Sequence, residues 1–151
     1  MISNRNNETI NVCIDLSETY IDGAVEAVKQ WDEVLRNWRR LSFTIGNVTD
    51  DRCQLTIQET DDYHHNDPSS IAWTDTIGGR HIYIRKNVKS KFEMQNTVLH
   101  ELGHAFGAQH VPKTLMSRVQ IPMTQCPDVT TVAQVAAWNH LNLNALSWCN
   151  N

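Results

Sequence analysis

Three histidines, a glutamate and a glycine stand at fixed intervals in His100-Glu101-Leu102-Gly103-His104-Ala105-Phe106-Gly107-Ala108-Gln109-His110. His100 and His104 are four residues apart, so on a helix their rings share one face, a turn apart. Neutral imidazoles are good zinc ligands. Glu101 directly follows the first of them, so its carboxylate flanks a metal without having to bind it. From there it can take a proton from a water held by the metal. Gly107 can adopt positive φ at negligible cost, which lets the helix stop and the chain turn back. That turn would return His110 as a third nitrogen ligand and leave a fourth position open for water.

The full pattern, H-E-x-x-H-x-x-G-x-x-H, resembles the signature of the metzincin clan of zinc metallopeptidases, which adds a methionine in a tight turn after the third histidine. Thr114-Leu115-Met116-Ser117 carries one six residues beyond His110. The resemblance implies that Met116 is an apolar floor beneath the metal, with Met123 as a second candidate. It implies one catalytic zinc held by His100, His104 and His110, with Glu101 as the general base. The implied activity is hydrolysis of peptide bonds within polypeptides. The implied fold is α+β and zincin-like: a five-stranded mixed sheet, a backing helix, an active-site helix and a C-terminal helix. A single catalytic domain would span residues 1–151, with an upper part of about 1–106 and a lower part of about 107–151. An extended polypeptide substrate would add a strand to the edge segment that includes Ile71, Ala72 and Trp73. Asn96 and Thr97, one turn before His100, would wall a side-chain pocket together with Pro122 and its neighbours Ile121 and Met123.

Within the clan the chain is most similar to a divergent, minimal matrixin. Matrixins bind a second, structural zinc through H-x-D and two later histidines. His65-Asn66-Asp67 matches the first part, but Trp73 stands where the next ligand belongs. His81 falls one residue early, and a one-residue shift in a strand turns a side chain to the opposite face. A second zinc is therefore not expected, and the acidic pairs Asp50-Asp51 and Asp61-Asp62 read as solvated loops rather than a calcium site. His64, His65, His81 and His140 read as surface or hydrogen-bonded histidines. Arg118 stands where astacins and serralysins carry a tyrosine, and Val111 where adamalysins carry an aspartate.

Other readings of the same residues stay open. The histidines could form a solvated helix face. The zinc could be structural, with Cys126 closing the shell as a fourth ligand. The domain could also be a catalytically inactive module that binds peptides or zinc. The intact Glu101 weighs against that last reading. Since protonated imidazole cannot ligate, the ordinary histidine pKa predicts that activity falls below about pH 6.

Composition sets the outer limits. The chain has 151 residues, 40% hydrophobic and 20% charged, which suits one globular domain. A net charge of −4 with no basic stripe does not suggest a nucleic-acid partner. No apolar run is long enough to span a membrane. The chain is expected to act as a monomer on a polypeptide partner. Residues 1–8 are polar and lack the apolar core of a secretion signal. Cys13, Cys53, Cys126 and Cys149 form no C-x-x-C pair; they allow two disulfides, in any of three pairings, or four free thiols. Disulfides would favour an extracellular setting.

The elements that must position the motif follow from periodicity. Residues 9–15 alternate and read as a strand. Ser17 or Thr19 can cap a long amphipathic helix through Ile21, Ala24, Val25, Val28, Trp31, Leu35 and Trp38, ending near Arg39-Arg40. Its tryptophans read as core. Strands are expected at 41–45, 53–57, 71–76 and 80–85, with a polar loop at 59–70. The metal-bearing helix should run over 91–104. Asp128 should cap a last helix over 129–146.

Overall fold

The computed structural model describes residues 9–62, 71–86, 90–118 and 126–149. Its elements run β1 (Ile10–Asp15), α1 (Glu18–Leu35), β2 (Leu41–Ile45), β3 (Leu55–Thr60), β4 (Ala72–Thr74), β5 (His81–Arg85), α2 (Lys91–Ala105) and α3 (Val129–Trp138), with one further helical turn over Leu143–Ala145. The five strands form one mixed sheet in the order β2-β1-β3-β5-β4. The first four are parallel, and β4 runs antiparallel to β5 at the edge. The architecture is α+β, as the sequence implies.

Alternation decides which face of the sheet is covered. Ile10, Val12 and Ile14 of β1, Leu55 and Ile57 of β3, and Ile82 and Ile84 of β5 all point inward and are buried. They meet Ala24, Ala27, Val28, Trp31 and Leu35 of α1 and Met94, Val98, Leu99 and Leu102 of α2 in one hydrophobic cluster. Trp31 is the hinge between the two helices. Its indole nitrogen donates to the Leu99 carbonyl at 2.9 Å, and its ring lies 5.4 Å from that of Phe106. The core thus grips the helix that carries the histidines from the turn just before His100 to the residue after Ala105.

Both later helices are capped by side chains. Ser90 Oγ accepts from the Glu93 amide at 3.1 Å and starts α2. Asp128 Oδ1 accepts from the Thr131 amide at 2.9 Å and starts α3 at the expected residue. Ser17 precedes α1 but makes no side-chain cap; its amide donates instead to the Glu59 carboxylate.

Three expected boundaries change. Helix α1 stops at Leu35, short of the two arginines, because Trp38 and Arg39 amides both return to the Leu35 carbonyl in a turn. Arg40 pairs with Asp32 at 2.8 Å rather than facing the helix end. Strand β3 starts at Leu55 and continues through Gln58-Glu59-Thr60, which pair with Tyr83, Ile84 and Arg85 of β5. Helix α3 stops at Trp138, where His140 takes φ 57° and Asn142 caps a separate turn. The apolar residues Leu141 and Leu143 prolong the helical spacing beyond the helix itself.

The cysteines pair as Cys13–Cys53 and Cys126–Cys149, which points to an oxidising environment. The first bridge covers the face of β1 opposite the core. The second ties the approach to α3 to the end of the described chain. Among the described residues, no helix is long and apolar enough to cross a membrane.

Candidate active site

The site is built on the last two turns of α2 and the turn that ends it. His100 and His104 lie one turn apart, with ring centroids separated by 4.8 Å. The helix then closes through the Gly107 amide bonding to the His104 carbonyl at 3.1 Å and the Ala108 amide to the Gly103 carbonyl at 2.8 Å. This is a Schellman turn, and it needs a left-handed residue between its two bonds. Gly107 supplies it with φ 114°. The reversed chain brings the His110 ring to 4.7 Å from that of His104.

The three Nε2 atoms face one another. His104 Nε2 lies 3.1 Å from His100 Nε2 and 3.2 Å from His110 Nε2, and one ligand atom from each ring falls within 4.8 Å of the others. The other nitrogens fix the tautomers. His100 Nδ1 is 2.9 Å from the Leu115 carbonyl, and His104 Nδ1 is 2.8 Å from the Ala108 carbonyl. A carbonyl only accepts, so each Nδ1 carries the hydrogen and each neutral Nε2 offers a lone pair. The lone pairs of His100 and His104 Nε2, at hydrogen-bond distance with no proton between them, repel; a cation beside them removes the conflict. Two ligands of a tetrahedral zinc at about 2.0–2.1 Å stand about 3.3 Å apart, close to the spacing here. The residues therefore fit a zinc ion.

Burial supports the neutral state. It pushes both His100 and His104 down to about 4, and it also lowers His110. His100 and His104 therefore stay neutral below the pH 6 expected from an ordinary histidine. Burial acts oppositely on Glu101, which is 6% exposed and pushed up to about 7. Its Oε2 lies 4.0 Å from His100 Nε2. Its Oε1 accepts from Thr74 Oγ1 at 2.9 Å.

Met116 is fully buried, and its sulfur lies directly against α2: a Cβ added at Gly103 would come within 2.5 Å of Met116 Sδ. Gly103 is thus the gap that lets the methionine slide under the histidine-bearing turn. Thr114 holds the local turn, donating to the Val111 carbonyl at 2.8 Å and accepting from the Met116 amide at 3.0 Å.

Helix α3 braces the same region. Asp128 Oδ2 accepts from the Leu115 amide at 2.8 Å. The Gln134 carboxamide pairs with both backbone groups of Gln109, at 3.1 and 3.2 Å, immediately before His110. Asn139 Nδ2 donates to the Phe106 carbonyl at 2.9 Å. Trp138, although 41% exposed, lies over Gly107 and Gly78. Thr74, Gly103, Gln134 and Trp138 are site residues that sequence reasoning missed. A glycine inside a helix, at Gly103, was the one local signal.

The other residues singled out in the sequence lie in varied surroundings. Ile71 and Ala72 are half-buried against the core beside β5. Trp73 points to the other face of the sheet and stacks on Tyr83, with ring centroids 5.4 Å apart. Asn96 and Thr97 are 3% and 2% exposed, inside α2's packed face. Pro122, Ile121 and Met123 lie outside the described residues, as do His64, His65 and Asp67. His81 Nδ1 lies 2.9 Å from the Thr56 hydroxyl. Asp50 pairs with Arg52 at 2.8 Å. Cys126 cannot be a thiolate ligand, because its sulfur is bonded to Cys149.

No protein-family model matches the sequence, and no curated protein matches it. Among solved structures, the chain is similar to part of a chain in a chaperone–substrate complex, with 12% identity and a TM-score of 0.46, covering 72% of this chain and 25% of that one. It is also similar to high choriolytic enzyme 1, a hatching-enzyme zinc protease of the medaka fish Oryzias latipes. There the identity is 16% and the TM-score 0.36, with 66% of this chain and 44% of the other covered. The chain thus spans less than half the length of either. The functional reading rests on the geometry of the site.

Proposed function

We propose that this chain is a zinc-dependent endopeptidase of the metzincin type, nearest in its motif to a minimal matrixin, that hydrolyses peptide bonds within polypeptides. One observation carries the reading: three imidazole Nε2 atoms converge, with His104 at 3.1 and 3.2 Å from the other two, beside a buried carboxylate. His100, His104 and His110 would hold the metal through Nε2, with the Leu115 and Ala108 carbonyls keeping the first two rings in the ligating tautomer. When bound, zinc supplies the positive charge that polarises a carbonyl and makes water a nucleophile near neutral pH. Glu101 accepts the proton at Oε2, the oxygen nearer the histidines, and returns it to the departing amine. Its raised pKa suits both halves of that exchange.

The outer edge of β4, the last strand of the sheet among the described residues, would receive the substrate as an added strand, a mode that reads main chain more than side chains. Met116 under Gly103 would serve as the Met-turn floor. In this reading the chain is one catalytic domain, with an upper part of about residues 1–106 and a lower part of about 107–151. It works extracellularly, where the two disulfides persist. Incubation with a peptide library, with and without a chelator, tests the reading by mass spectrometry. Internal cleavage that the chelator stops, and that Glu101→Ala abolishes while zinc stays bound, is the expected result. Undiminished cleavage by Glu101→Ala contradicts it.

A further inference from the structure

The general base in this site is not held by the helix that carries it. Glu101 projects from α2 into a buried position, and the partner of its Oε1 comes from the sheet edge: Thr74 Oγ1, at 2.9 Å. The same hydroxyl lies 3.0 Å from the Glu101 backbone carbonyl. The carbonyl is a neutral acceptor that also serves the helix, whereas an ionised carboxylate makes a charge-assisted bond, so the bond to Oε1 is the stronger of the two. The two carboxylate oxygens thus face different surroundings. Oε1 is tied to β4, while Oε2 lies on the side of His100, 4.0 Å from its Nε2.

Thr74 is well placed to hold something still. It is the last residue of β4 and pairs with Ile82, whose side chain is fully buried. Alternation along this three-residue strand turns Thr74 toward α2 and Trp73 away from it. A β-branched side chain in a strand has restricted χ1 freedom, so its hydroxyl is aimed at little entropic cost. The glutamate has three rotatable bonds, and Thr74 restrains its carboxylate twice, through the hydroxyl and through a backbone hydrogen bond.

We propose that Thr74 is a positioning residue for the Glu101 carboxylate: it pins Oε1 and thereby directs Oε2 at the point where the three histidines meet. This inference rests on the protease reading above. It also joins the strand expected to receive substrate to the group that moves the proton, through the hydrogen bonds of one residue.

The test compares Thr74→Val, which keeps the shape and removes the hydroxyl, with Thr74→Ser, which keeps the hydroxyl. Both are assayed on a peptide that the wild type cleaves in a chelator-sensitive way. Thr74→Val should lower kcat by about 10- to 100-fold, on the order of one positioned acid–base group, with KM changed less than about twofold. Zinc affinity, measured by chelator competition, should be unchanged, and Thr74→Ser should recover most of kcat. A crystal structure of Thr74→Val should show the carboxylate turned from its wild-type position relative to His100. The inference is overturned by Thr74→Val with near wild-type kcat, by Thr74→Ser as slow as Thr74→Val, or by an unmoved carboxylate in the Thr74→Val crystal. Each of those leaves the protease reading standing. A wild-type protein with no chelator-sensitive cleavage overturns both.

Discussion

Gly107→Ala perturbs the site at the point where the chain turns back toward His110. Two separate costs arise there. The residue has φ 114°, a region that an L side chain occupies only under strain of about 1–3 kcal/mol. The new methyl would also lie 2.6 Å from Trp138 Cδ1 and closer still to the ring's base, far inside ordinary carbon–carbon contact. Overpacking of that kind costs about 1–3 kcal/mol. The sum is about 2–6 kcal/mol, or a fall in Tm of at least about 4 °C at this chain length. Any part of that cost relieved by moving residues 107–110 is felt at His110, and each 1.4 kcal/mol weakens zinc binding about tenfold. Trp138→Gly in the same background separates the two terms. It removes the ring and the Cβ that the new methyl would overlap and leaves the strained φ, so Gly107→Ala and Trp138→Gly should couple by at least about 1 kcal/mol. Thermal melts and zinc titrations of the four proteins are the assay. Gly107→Ala with unchanged Tm and unchanged zinc affinity refutes the reasoning. Additive effects of the two substitutions refute the contact with Trp138.

Three further outcomes follow from other contacts. Gly103→Ala should displace Met116 or tilt α2, costing about 1–3 kcal/mol despite alanine's better helix propensity, as read by denaturant melts. Replacing Cys126 and Cys149 together with serine opens a bridge between residues 23 apart and should cost about 3 kcal/mol, with α3 and its bracing of the histidine turn loosened first in hydrogen exchange. The third concerns acid. In metal-free protein, folded His100 and His104 stay neutral down to about 4 while unfolded imidazoles charge from 6.5. The unfolded state then binds more protons, so stability falls as pH drops through that window. Glu101 works in the opposite direction, because the folded state keeps a proton up to about 7 that the unfolded state gives up near 4.5. Metal-free Glu101→Gln should therefore lose stability more steeply than wild type between pH 6.5 and 4.5, by melts across pH. Equal slopes contradict the assignment.

How far the sequence could be read depended on whether a feature was local. The alternation of Ile10, Val12 and Ile14 and the run 41–45 located β1 and β2 almost to the residue, since period-two burial is written in the side chains. The motif spacing anticipated the meeting of His100, His104 and His110, because helix pitch and one glycine turn fix it. Strand β3 was misjudged at Gln58-Glu59-Thr60, where backbone pairing with β5 rather than apolar content makes the strand. Helix α3 was overrun because Leu141 and Leu143 keep helical spacing while His140 breaks the backbone. Apart from Gly103, the site residues not legible in the sequence share one cause. Thr74, Trp138 and Gln134 act across 27, 31 and 25 residues of chain, on Glu101, Gly107 and Gln109 in turn, and no local pattern marks such contacts. Cysteine pairing is of the same kind.

The central claim is that the lone pairs of His100, His104 and His110 converge to hold one zinc ion with a position left open. Zinc K-edge absorption on protein loaded with one equivalent tests it most directly. The account predicts three imidazole nitrogens and one light, non-protein oxygen at about 2.0–2.1 Å, with the imidazole count falling by one in His110→Ala. A sulfur in the shell, four protein ligands, or an unchanged spectrum in His110→Ala would contradict it.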